Sequence, residues 1–148
     1  MTDQEKQLLL KDLAARVPYG IMVDQSLYPQ PLASNIQRLK NVQANDCVQL
    51  YWKYFNEFIS IDHIKPYLRP MSSMTEEERL ELSRLTDDKF KFYLYTVKPE
   101  IVCYEKYNYL EGLKVLDWLN AHHFDYRGLI EKGLALKAPE GMYIIKEK

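Results

Sequence analysis

Apolar side chains return every fourth position at the start of the chain: Leu9, Leu13 and Val17, with Leu10 and Ala14 beside them. That spacing makes one stripe on a helix. Thr2 and Glu5 stand three residues apart ahead of it, as a capping box requires. Val17 precedes Pro18, and a residue before proline is driven out of helical geometry. The pattern predicts a helix over residues 2–17.

The period then shortens to two. Tyr19, Ile21 and Val23 alternate with Gly20, Met22 and Asp24. The run LYPQPLASN holds two prolines and reads as a loop or an edge. Residues 36–42 read as a strand. In DCVQLYW, Val48, Leu50 and Trp52 share a face, after a turn at Asn45-Asp46. Asn56-Glu57 marks another turn, and in FISIDHI the side chains of Ile59, Ile61 and His63 share a face. Short strands joined by tight turns predict an antiparallel meander or a small, partly closed barrel over residues 19–65.

Pro66 and Pro70 predict an extended connector. Thr75 with Glu78 repeats the capping-box spacing, and Glu76 and Glu77 suit the positive end of a helix, which is expected over residues 75–85. This capping role accounts for Ser72, Ser73 and Thr75 better than phosphorylation does. FKFYLYTV alternates as a strand does, with a helix as the alternative over residues 89–97, and EIVCYEKY reads as another strand. Leu113, Leu116 and Leu119, with Val115 and Trp118, predict a helix over residues 110–122. A turn at His123-Phe124-Asp125 and a short helix over Tyr126–Lys132 follow, with Asp125 as N-cap and Gly133 as terminator. Leu134 and Leu136 begin a last strand-like segment, and Pro139 to Gly141 make a turn. The expected fold is α+β, a single domain over residues 1–148 with a β-rich unit at 19–65 and a mixed, helical unit at 75–148.

Composition adds limits. The 148 residues are 47% hydrophobic and 28% charged, enough apolar content to build a core. A net charge of −1 gives no general field toward nucleic acid or anionic membrane. The N-terminus has early acidic residues and a run of only three leucines, unlike a signal peptide, and no segment reaches the length of a membrane span. A cytoplasmic protein with no membrane association is expected. Cys47 and Cys103 sit in apolar surroundings, without metal-like spacing, and read as reduced, buried thiols. The twelve tyrosines suit half-buried strand surfaces and interfaces alike.

Three blocks, EKQLLLKDLAARVPYG, IKPYLRPMSSMTEEE and DWLNAHHFDYRGLIEKGLALKAPEGMY, resemble a group of short proteins of gut Bacteroidetes and of their phages and mobile elements. Val17 stands where that group has leucine, and Lys137 where it has an acidic residue. The resemblance implies a shared fold and a phage or mobile-element setting. It implies no activity and transfers no catalytic residue.

Residues 117–136 concentrate the polar chemistry, and metal binding, catalysis and DNA reading are the functions such a cluster could serve. His122 and His123 are sequence neighbours, which on a helix do not face one ion together. A histidine at a helix end suits the negative pole of the dipole. Cys47 and Cys103 with His63 or His122 are the conceivable nucleophile and base pairs, but no nucleophile elbow or phosphate loop surrounds them. Arg127, Glu131 and Lys132 are too few for a DNA-reading helix. The stretch reads best as a structural corner. No catalytic residue, metal ligand or cofactor site is expected. The densest aromatic cluster is Tyr51, Trp52, Tyr54, Phe55 and Phe58, with Lys53 its one basic companion. The candidate interaction surface is Tyr51, Trp52, Tyr54, Phe55, His122, His123 and Arg127. The sequence thus points to a non-enzymatic module for a protein partner, with nucleic-acid binding through the β unit second and an unrecognised enzyme third.

Overall fold

Thr2 opens the first helix as its spacing foretells. Its hydroxyl accepts the Glu5 amide at 3.1 Å, and the Glu5 carboxylate accepts the Thr2 amide at 2.8 Å. Two of the unpaired donors of the helix start are satisfied in this way. The helix, α1, runs Asp3–Arg16 and passes into a 3-10 turn, Val17–Tyr19, closed by Gly20 at φ 73°. These elements belong to a computed structural model that describes residues 1–26, 36–43, 45–51, 58–85 and 109–143, the side chains of 109–112 excepted. The expected features at LYPQPLASN, FKFYLYTV and EIVCYEKY lie outside those residues.

The fold is α+β. The strands are β1 (Met22–Asp24), β2 (Ile36–Val42), β3 (Cys47–Leu50), β4 (Ile59–Ser60), β5 (Lys65–Leu68) and β6 (Leu136–Lys137). They form one open sheet in the order β4-β3-β2-β1-β5-β6. From β1 to β4 it is the expected antiparallel meander, rather than a barrel. β5 adds antiparallel to the far side of β1, and β6 lies parallel on β5.

Two expectations are corrected here. The segment around Pro66 is not a connector but strand β5. Pro66 pairs with Val23 of β1, while β6 joins only from Tyr67 onward, so no β6 residue stands opposite the proline. Its missing N–H is therefore tolerated near the strand start. FISIDHI is likewise not one strand: β4 stops at Ser60, whose hydroxyl accepts the Asp62 amide at 3.3 Å and opens a 3-10 turn, Ile61–His63.

The chain divides into two compact units, residues 1–68 with 129–148 and residues 69–128. In the first, α1 covers one face of the sheet. Leu9 and Leu13 pack with Ile21, Val23, Leu39, Val48, Ile59, Ile61 and Leu68, and Leu129 and Leu134 join them from the returning chain. Each fully buried aliphatic side chain contributes roughly 1.5–3 kcal/mol of transfer free energy. The unit thus exceeds the expected 19–65 region by taking in both ends of the chain.

The second unit holds α2 (Glu76–Arg84) and α3 (Tyr109–Ala121). Thr75 caps α2, accepting the Glu78 amide at 3.1 Å. Met74, Leu82, Val115, Trp118, Leu119, Phe124 and Tyr126 form a separate core. The expected short helix over Tyr126–Lys132 is absent, and the segment is a succession of turns with Gly128 at φ 71° and Gly133 at φ 73°. Left-handed geometry at Gly128 breaks a helical path that two turns of chain would barely nucleate. Tyr126 is anchored in one core and Leu129 in the other, so the segment serves two anchors instead of one helix.

Candidate interaction surface

The expected surface residues fall on different units. Tyr51 belongs to the first; His122, His123 and Arg127 belong to the second. Trp52, Tyr54 and Phe55 lie outside the described residues.

The histidine pair is explained by how α3 ends. The His123 amide donates to the Asn120 carbonyl at 3.1 Å, and the Phe124 amide to the Leu119 carbonyl at 3.0 Å. That bond pair is a Schellman motif, with His123 in the left-handed position where glycine is usual. His123 has φ 61°. Phe124, the residue after it, packs with Leu119 in the core, the hydrophobic contact that accompanies this motif. His123 is itself buried, so it adds little to the expected interaction surface.

His122 stacks on Trp118, with ring centroids 3.9 Å apart. Its Nδ1 lies 2.8 Å from the Trp118 carbonyl, which can only accept, so the ring donates there to a carbonyl of the last turn. Trp118 also stacks on Phe124, whose ring lies 4.2 Å from the Arg69 guanidinium carbon. Arg69 donates to Glu78 at 2.7 Å. Burial alone would raise the Glu78 carboxyl, but the hydrogen bond and charge of Arg69, with Thr75, outweigh it and lower its pKa. Arg127 lies on the Tyr126 ring and donates to its hydroxyl at 3.2 Å. The polar side chains of this corner thus serve helix termination and packing. Among the described residues, no group of three or more His, Cys, Asp or Glu side chains could hold a metal ion.

The open face of the sheet offers different chemistry. Alternation along β2 sends Gln37 and Leu39 toward α1 and leaves Ile36 and Arg38 on the other side. At Lys40 the register shifts: Leu39 faces Leu50, yet Asn41 faces Gln49 and Val42 faces Val48. The extra residue lets Lys40 and Asn41 both stay off the core before Val42 returns to it. Tyr51 continues the outward face of β3, and its amide donates to the Arg38 carbonyl at 2.8 Å. The Arg38 guanidinium carbon lies 5.0 Å from the Tyr51 ring centroid, and the Lys40 ammonium 5.9 Å from it. Both fall within cation–π range.

Arg38 also passes close to Gly20. A Cβ on Gly20 would stand 3.4 Å from Arg38 Nε, so the guanidinium passes over bare backbone. Tyr51 is 52% exposed and Phe58, next to β4, is 50% exposed. The strands carry Arg38, Lys40, Lys65 and Lys137 against one carboxylate, Asp24, among the described residues. Asp24 is engaged locally: it accepts the Ser26 hydroxyl at 2.5 Å and lies opposite Lys65. It also bonds the Tyr67 hydroxyl, whose pKa burial raises first and the Asp24 charge and hydrogen bond raise further. No carboxylate among the described residues pairs with Arg38 or Lys40.

Sequence reasoning found Tyr51 and missed its two cations. The available signal was the exposed side of the strand expected at 36–42, which carries Arg38 beside Lys40. No protein-family model, no curated protein and no solved structure matches the chain.

Proposed function

We propose that this protein is a non-enzymatic binding module whose working surface is the open face of the sheet around Tyr51. One observation carries the reading. α1 buries one side of the sheet, while on the other an exposed tyrosine is framed by two cations that no carboxylate among the described residues engages. A rigid strand pair presents these groups, so little ordering entropy opposes binding. The histidine corner supports the non-enzymatic reading, because His122 and His123 are used to end α3.

From sequence alone a protein partner ranks first and nucleic acid second. The exposed Ile36, Tyr51 and Phe58 suit a protein partner. Arg38 and Lys40 favour nucleic acid. The resemblance to phage and mobile-element proteins supports a cytoplasmic setting on such an element, and no described helix is long and apolar enough to cross a membrane.

The test is co-purification of tagged protein from native lysate, with and without nuclease, comparing wild type with the Tyr51→Ala, Phe58→Ala double variant. The reading expects a specific partner that the double variant loses while its thermal unfolding stays as in wild type. Identical recovery by both proteins would refute it.

A further inference from the structure

We infer that the partner held on this sheet face is single-stranded nucleic acid, a step that rests on the binding-module reading above. The argument begins with what Tyr51 has beside it. An exposed ring offers a flat apolar surface, and every nucleobase has a matching one. Arg38 and Lys40 lie within 5.0 and 5.9 Å of that ring, so an anion attached to a stacked group comes within reach of both. A nucleotide joins these two features covalently, with a flat base and a phosphate on its sugar.

The charge on the described strands agrees with a polyanion. The net charge of −1 conceals a segregation: the strands are basic, whereas α2, EEERLELSR, carries four glutamates against two arginines. Asp24, the carboxylate on the strands, is tied to Ser26 and Tyr67 and lies opposite Lys65, so it does not cancel Arg38 and Lys40. A protein partner accounts for Tyr51 and Arg38 but not for Lys40 beside them, because lysine is depleted from the cores of protein interfaces. Duplex fits less well too. Its bases are stacked on one another and unavailable to Tyr51, and two cations give few phosphate contacts. The site is small, sized for one stacked base and the phosphates beside it.

The probe is a fluorescein-labelled oligothymidylate of roughly 12 nucleotides, titrated with full-length protein and read by anisotropy. Saturable binding is expected, with a duplex of equal length bound more weakly. Two single-strand phosphate contacts predict a slope of about −1.4 in log K against log salt. Lys40→Ala should weaken binding and flatten that slope by about 0.7. Tyr51→Ala should cost roughly 5- to 150-fold in affinity, and Tyr51→Phe, which keeps the ring, should bind nearly as wild type. Lys132→Ala, at an exposed lysine off the strands, is the control that leaves affinity unchanged. The inference is overturned if the oligonucleotide does not bind, or binds with equal affinity after Tyr51→Ala. The broader reading is judged separately: a nuclease-resistant protein lost from the Tyr51→Ala, Phe58→Ala variant would retain the working face while rejecting nucleic acid as its occupant.

Discussion

Asp12 and Arg16 form a two-point ion pair one helical turn apart, with both side chains wholly excluded from water. Arg16 Nε lies 2.9 Å from one Asp12 oxygen and a terminal nitrogen 3.1 Å from the other. The fork geometry gives guanidinium two parallel charge-assisted bonds. Such a pair is costly to desolvate, so its net worth is small, yet breaking it strands a buried charge. Asp12→Ala should therefore destabilise the first unit by about 3–5 kcal/mol. Replacing both residues with apolar ones, Asp12→Leu with Arg16→Met, should cost much less. Urea unfolding of the single and double variants checks the ordering.

Tyr143 holds β1 and β5 together where their ladder runs out. Its hydroxyl accepts the Met22 amide at 3.0 Å and donates to the Tyr67 carbonyl at 2.8 Å, one step beyond the pairing of Val23 with Pro66. Tyr143→Phe leaves both backbone groups without this partner and should cost about 2 kcal/mol.

Burial pushes the Tyr143 phenol above its ordinary value of 10.0. Tyr67 adds to the rise, and the Met22 amide and the Arg16 charge oppose it. The unfolded chain then loses this proton first. The stabilisation is present in full below pH 10 and is lost as pH rises through the folded value. In the region above pH 10, wild type should lose about 1.4 kcal/mol per pH unit more than Tyr143→Phe. Unfolding free energies across the alkaline range read this difference directly.

His123 occupies a left-handed backbone position, which a β-branched side chain tolerates badly. His123→Val should lower stability by about 1–2 kcal/mol from backbone strain alone. His123→Asn, a residue suited to that region, should cost less than His123→Val. Thermal unfolding of the two variants, followed by the near-ultraviolet signal of the tryptophans, distinguishes backbone strain from simple loss of the imidazole.

Local chemistry was the legible part of this molecule. Thr2 with Glu5 and Thr75 with Glu78 announce two helix starts within a few residues of chain, and α1 and α2 begin where those pairs require. β2 matches the strand expected at 36–42 for the same reason, since its alternation is local. The failures are tertiary. Pro66 reads as part of an extended connector until β1 is found beside it and β6 is found to join only at Tyr67. Tyr126 to Lys132 reads as a helix until Gly128 is seen in left-handed geometry, which breaks the helical path.

The candidate site divides along the same line. Exposed Tyr51 stands out in the sequence, but the packing of Arg38 and Lys40 on its ring depends on strand register and on one extra residue at Lys40. The buried pair of Asp12 and Arg16 was equally hidden, because an i, i+4 ion pair on a helix looks the same in sequence whether solvated or buried.

The most direct test places a photocrosslinker in the working face. Tyr51→p-benzoylphenylalanine, and the same replacement at exposed Glu77 on α2, are irradiated in native lysate. The account predicts a discrete crosslinked product, to nucleic acid or to protein, from position 51 and none from position 77. Equal products from both positions, or none from position 51, would contradict it.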